Sequence, residues 1–183
     1  MTVVGTLTHE GGHYLAARLM GYEARINYMA TFKMDDQPMN ATQSFWMILG
    51  GPLETIVTGS IGFFFLCRLT YPIQKLSIAQ WALIFLSLLC LREPCNFAVW
   101  LGTYLITGNY SAQGDEIRLS RYLHWSDWSL ISATALIGAL ILAYVVFRIV
   151  PKPQRVTFLA SGLVGGVLGY LLWLVYFGKM IMP

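Results

Sequence analysis

The chain has 183 residues, of which 56% are hydrophobic and only 11% are charged, and its formal net charge is +3. Soluble domains carry about 25% charged residues, so this composition excludes an ordinary soluble protein and indicates an integral membrane domain in a lipid bilayer, covering residues 1–183. Basic and aromatic residues are not interleaved, so we expect no nucleic-acid partner.

The first predicted helix, residues 2–20, contains the H-E-x-x-H motif HEGGH at residues 9–13. Residues four apart face the same side of an α-helix, so His9 and His13 can bind one metal ion together. Glu10 lies beside the first ligand and can take a proton from water at that ion. The spacing predicts one Zn²⁺ per chain, with Glu10 as general base. The alternative is a pair of buried histidines that hydrogen-bond neighbouring helices, which leaves Glu10 unexplained.

Residues 25–34 alternate between two faces, with Met29 as the exception, and residues 35–38 (DDQP) favour a turn. Such a period of two predicts a β-strand or hairpin at the membrane surface, between the first two helices. We expect this element to present an edge that holds an extended substrate segment. The alternative is a strand that only covers the site.

The remaining apolar segments complete an all-α polytopic membrane fold of five or six transmembrane helices. The region at 78–106 is interrupted by Arg92-Glu93-Pro94, so it forms either one broken span or two short ones. We expect residues 1–127 to form the core and residues 128–183 to add two transmembrane helices. The predicted spans after the first helix are residues 45–66, 78–91 with 97–106, 130–147 and 156–177.

A catalytic zinc ion has three protein ligands, and the motif supplies two of them. Asp115 follows a glycine in the polar stretch after the third apolar region, and the alternative is an N-cap or first-turn acid of a helix over residues 116–122. The other candidates for the third ligand are His124, Glu116, Glu54, Glu93 and Asp127.

Residues 9–21 (HEGGHYLAARLMG) resemble the H-E-x-G-H-x-x-x-A-R-x-x-G helix of site-2 protease-type intramembrane metalloproteases. The order that follows is similar over residues 5–120: a β element, a Gly-Pro helix at Gly51-Pro52, and a region ending at Asp115. The resemblance implies that Asp115 is the third ligand. The chain departs from the family at Thr55, where the family has Asn, and around Pro94 and Asn96, which only loosely match its Asn-x-x-Pro motif.

The resemblance implies an intramembrane zinc metalloprotease that cleaves membrane-protein substrates in or next to their transmembrane segments. The alternative is a non-hydrolytic membrane metal-binding protein, either a metal carrier or a degenerate protease-like scaffold. A carrier needs ligands but no general base, so Glu10 favours the enzyme, whereas the missing family motifs favour the scaffold. The sequence defines neither the substrate nor the oligomeric state.

Overall fold

A computed structural model describes residues 2–69 and 76–183 and is mostly helical. The chain forms two compact units, one made of the residues up to Thr55 together with Leu159–Pro183, the other of Ile56–Phe158. The division at residue 127 that the sequence predicts stays a prediction. The helices of the described chain are α1 (Thr2–Leu19), α2 (Ala41–Cys67), α3 (Ile78–Ser87), α4 (Arg92–Thr107), α5 (Asp115–Tyr122), α6 (Trp128–Tyr144), α7 (Arg155–Tyr170) and α8 (Gly178–Ile181).

Four helical stretches within the described ranges are long and apolar enough to cross a membrane: Ala41–Cys67, Ile78–Thr107, Trp128–Ile149 and Lys152–Ile181. The last two continue α6 and α7 through π-helical turns. Helix α1 has 18 residues and is about 27 Å long. It is not one of these four stretches, because its polar H-E-x-x-H motif lowers its mean hydropathy. Of the five or six spans expected, a fifth at α1 therefore stays a prediction.

The third apolar region is one helical stretch with a break, not two separate spans. A 3₁₀ turn at Leu88–Leu91 joins α3 to α4. The break has a local cause, because Pro94 has no N–H to donate to the carbonyl of Cys90 and its ring crowds that carbonyl. Helix α6 packs closely there, since a Cβ added to Gly138 would lie only 2.6 Å from the Cys90 oxygen.

The predicted β element is a hairpin, with strand β1 (Ala24–Ile26) antiparallel to strand β2 (Thr31–Lys33). Asn27 closes the turn, because its side-chain oxygen accepts hydrogen bonds from the N–H groups of Met29 and Ala30, both at 2.9 Å. Its own N–H donates to the Ala30 carbonyl at 2.9 Å. The exception at Met29 in the sequence pattern thus marks the turn of the hairpin.

The turn of the hairpin is attached to the end of the last helical stretch. The indole N–H of Trp173 donates to the Tyr28 carbonyl at 2.8 Å, and the Tyr28 N–H donates to the Met182 carbonyl at 3.1 Å. Arg25 donates to the Pro183 carbonyl at 3.2 Å. Tyr28 therefore lies in a turn whose backbone is already bonded, and is not an open edge position.

Candidate metal centre

Helices α1 and α2 approach each other closely through glycines. A Cβ added to Gly12 would lie 2.8 Å from the Cβ of Glu54, and one added to Gly50 would lie 2.9 Å from the Cβ of Ala16. Small residues at such a crossing let two backbones meet. Within the described chain nothing lies within 4 Å of a Cβ added to Gly11, so of the two motif glycines only Gly12 serves this contact.

The crossing brings the two motif histidines to one buried point. His9 is fully buried and His13 is 8% exposed. Their Nε2 atoms lie 3.2 Å apart, and the ring planes are inclined at 82°. Two nitrogens that share one tetrahedral zinc ion at 2.0–2.1 Å are about 3.3–3.4 Å apart. The ring spacing is therefore close to the value that a shared ion requires.

A backbone carbonyl of α2 fixes the proton of His13. Its Nδ1 lies 2.7 Å from the Met47 oxygen, and since a carbonyl can only accept, Nδ1 must carry the hydrogen. The Gly51 N–H is also 3.3 Å from this nitrogen, but a protonated Nδ1 cannot accept it, so the shorter contact decides. Pro52, inside α2, has no N–H to donate to the carbonyl of Ile48.

A side-chain hydroxyl of α2 holds the ring of His9. Its Nδ1 lies 3.0 Å from Thr55 Oγ1, and that hydroxyl lies 3.2 Å from the Gly51 carbonyl. The Thr55 hydroxyl thus bridges His9 and the backbone of its own helix, and it positions the His9 ring so that its Nε2 faces the Nε2 of His13.

Gly51 keeps the space in front of the two rings open. A Cβ at this position would lie 2.6 Å from His9 Nε2 and 2.6 Å from His13 Cε1, and closer still to His13 Nε2. Real Cβ atoms essentially never come that near, so any larger residue would fill the space between the ligand nitrogens. The two facing nitrogens and this space fit a bound metal ion.

Glu10 completes a group that can hold a metal ion. Its side chain is buried, at 5% exposure, and the ligand atoms of His9, Glu10 and His13 all lie within 4.8 Å of one another. Among residues 2–69 and 76–183, no other group of three or more His, Cys, Asp or Glu residues brings its ligand atoms this close together. The Thr31 hydroxyl donates to the Glu10 backbone carbonyl at 2.8 Å, so β2 is attached to α1 at the site.

The hairpin offers one of its two edges beside this attachment. The Met34 N–H donates to the Glu23 carbonyl at 2.8 Å, and Asn27 pairs with Ala30, so by alternation the backbone groups of Thr31 and Lys33 point away from β1. The opposite edge continues to Tyr28, which is bonded to the last helical stretch. In the described chain no backbone hydrogen bond to another element closes the β2 edge, which is the edge beside Glu10.

The candidate third ligands occupy different places. Asp115 is the first residue of α5 and follows Gly114, which has an extended conformation. This position agrees with the first-turn interpretation. The role of Asp115 as a metal ligand stays a prediction. Glu116 and Glu93 are both buried, at 4% exposure, and belong to the second unit. Glu54 lies at the contact of α1 with α2, in the first unit.

The other two candidates have structural roles. His124 is exposed, and its backbone is in the left-handed conformation with φ of 59°. The next residue, Trp125, donates its N–H to the Ser120 carbonyl. This hydrogen bond closes the C-terminal end of α5. Asp127 accepts hydrogen bonds from Arg121 at 2.9 and 2.6 Å and from the Tyr110 hydroxyl at 2.8 Å. The Arg121 guanidinium first, and then the Tyr110 hydroxyl, hold the pKa of Asp127 below its usual value.

Sequence reasoning missed the α2 side of the site, which is formed by Met47, Gly51 and Thr55. Their spacing of four places them on one face of α2, which matches the spacing of the two histidines on α1. Comparison of the chain with protein-family models, with curated proteins and with solved structures finds no match in any of the three.

Proposed function

We propose that the chain is an intramembrane zinc metalloprotease that hydrolyses peptide bonds in or next to transmembrane segments of protein substrates. One observation carries the proposal: two buried imidazoles present their Nε2 atoms 3.2 Å apart next to a buried carboxylate. A carrier or a structural site would not need that carboxylate in the sequence position of a general base.

Zinc is the metal we propose, with His9, His13 and Asp115 as the residues that hold it. Imidazole also suits copper, iron and nickel, but two histidines with one carboxylate form a known ligand set of catalytic zinc. When bound, the ion supplies a Lewis acid for the scissile carbonyl and a water molecule that ionises near neutral pH.

The residues of the chain then divide the work of hydrolysis. The Glu10 carboxylate accepts the proton of the attacking water and returns it to the leaving amine. Met47 and Thr55 hold the two rings in place through contacts with their Nδ1 atoms. The β2 edge binds the substrate in an extended form, because a peptide bond inside a helix is shielded by its own turn and an unwound segment in lipid needs new hydrogen-bond partners.

The membrane setting of the site is part of the proposal, and it is supported by the apolar helices of the chain. Four stretches of the described chain can span a bilayer by length and composition, and we propose that α1 is a fifth span, with its polar motif covered by α2. An ionisable cluster within such a span is costly unless it has partners and a function. This favours cleavage inside the membrane over cleavage in solution.

The deciding experiment compares wild type with Glu10→Gln, His9→Ala and His13→Ala. Each purified protein is analysed for zinc and then reconstituted into vesicles with a mixture of tagged single-span peptides. We expect one zinc per chain and cleavage in wild type, zinc without cleavage in Glu10→Gln, and loss of zinc in both histidine variants. Cleavage that persists in Glu10→Gln, or full zinc content in both histidine variants, would overturn the proposal. Zinc without any cleavage in wild type would favour the metal carrier or scaffold.

A further inference from the structure

We propose that Thr31 is the positioning residue for the substrate: its hydroxyl fixes the β2 edge beside Glu10 and so selects which peptide bond of a bound extended segment meets the Glu10 carboxylate. This inference rests on the proposed proteolytic function and deepens it. It concerns the choice of the cleaved bond, which the metal centre does not make by itself.

The hydrogen bond between Thr31 and α1 has only one possible direction. Thr31 Oγ1 lies 2.8 Å from the backbone oxygen of Glu10. A carbonyl has no hydrogen to give, so the hydroxyl donates and the carbonyl accepts. The bond joins residues that are 21 positions apart in the chain, one in β2 and one in the helix that carries the motif. It therefore sets the position of β2 along α1.

The main chain of Thr31 faces the outer edge of the hairpin. Thr31 stands opposite Ile26 in a pair that exchanges no backbone hydrogen bonds, so its N–H and C=O point away from β1. The same residue thus holds the Glu10 main chain with its side chain and offers both backbone groups to an added strand. A substrate segment paired with this edge is one residue away from the attachment to α1.

The two faces of β2 are consistent with this role. Thr31 and Lys33 are half-buried, whereas Phe32 between them is 49% exposed. Side chains of a strand alternate, so one face of β2 rests on the protein and the other is open. On the covered face, the Lys33 ammonium lies 5.3 Å from the centre of the Tyr22 ring, just beyond the end of α1. Thr31 is therefore the covered residue of β2 that is bonded at the motif.

The other attachments of the hairpin do not involve Glu10. The turn is bonded through Tyr28 to the last helical stretch, and β1 follows α1 after a turn at Gly21, where φ is 87°. Without the Thr31 hydroxyl the hairpin stays attached at both places, but β2 can shift relative to Glu10. One neutral hydrogen bond changes such an equilibrium about fivefold. A displaced edge brings neighbouring peptide bonds to the carboxylate.

Two variants separate the hydroxyl from the bulk of the side chain. Thr31→Val keeps the shape and loses the hydroxyl, whereas Thr31→Ser keeps the hydroxyl and loses a methyl group. Each protein is reconstituted with the tagged single-span peptides, and the products are identified by mass spectrometry. We expect the ratio of products cut at other bonds to the main product to rise about fivefold in Thr31→Val and to stay within about twofold of wild type in Thr31→Ser. Zinc content should be the same in all three proteins.

The matched control is Thr103→Val, the same change at an exposed threonine of α4 whose hydroxyl donates to the Val99 carbonyl at 2.8 Å. Its product ratio should equal that of wild type. A general loss of stability lowers all products in proportion and leaves the ratio unchanged. An unchanged ratio in Thr31→Val, or an equal rise in Thr31→Ser, overturns the inference and leaves the proposed function standing. If wild type cleaves none of the peptides, the proposed function fails and the role of Thr31 fails with it.

Discussion

Replacing Gly51 with alanine places a methyl group between the two ligand nitrogens. The new carbon would lie 2.6 Å from His9 Nε2, whereas ordinary contacts begin at 3.4 Å, so this ring must retreat by about 0.8 Å. Metal–ligand distances tolerate deviations of about 0.2 Å. The required movement is therefore about four times what the site can absorb.

We expect zinc affinity to fall by at least about 100-fold in Gly51→Ala, which corresponds to roughly 3 kcal/mol of binding free energy. The assay is chelator competition on the purified protein, with helicity followed by circular dichroism. The control is Gly11→Ala, the same change next to the motif histidines, where a Cβ meets nothing within 4 Å in the described chain. Wild-type affinity in Gly51→Ala would refute the convergence of the two Nε2 atoms on one ion.

Three further predictions concern other parts of the chain. Asp115→Asn should weaken zinc binding more than Glu116→Gln, and equal affinities would remove Asp115 from the ligand set. Lys33→Pro should reduce cleavage at unchanged zinc content relative to Lys33→Ala, because both lose the ion pair with Asp35 but only proline loses the edge N–H. The lowered pKa of Asp127 implies stability that is present above the ordinary Asp pKa of about 3.9 and lost as the pH falls through the lower folded value. The free energy of unfolding, measured with denaturant, should therefore be higher for wild type than for Asp127→Asn at neutral pH, and this difference should disappear in acid. Arg121→Gln should show the same loss of stability at neutral pH and the same convergence with wild type in acid.

Local patterns made part of this structure predictable. The alternation around Met29 gave the hairpin, because side chains in a strand alternate with a period of two. The spacing of His9 and His13 placed both rings on one helical face. Each of these predictions needs only the geometry of a single element.

The α2 side of the site could not be predicted in the same way. Gly51 acquires its role only when α1 crosses α2 at one particular place, and Thr55 matters only because His9 then comes within 3.0 Å. The sequence also left open whether Pro94 divides a span in two, since that depends on how α6 packs against the break. The position of Asp115 at the N-terminus of α5 is explained locally, because a carboxylate there interacts favourably with the helix dipole. A role as a metal ligand depends instead on long-range packing.

In the proposed membrane setting, the attachment of Tyr28 to Trp173 would couple the hairpin to the bilayer. Trp173 is buried at 8% exposure in a 30-residue stretch that is otherwise almost bare, with only 6% of its most apolar window covered by protein. Helices respond to hydrophobic thickness by changing tilt. A tilt of this stretch would move the indole N–H and the Met182 carbonyl together, and the hairpin turn with them. The alignment of the β2 edge with Glu10, and with it the rate of cleavage, should therefore vary with lipid chain length even when zinc occupancy is constant.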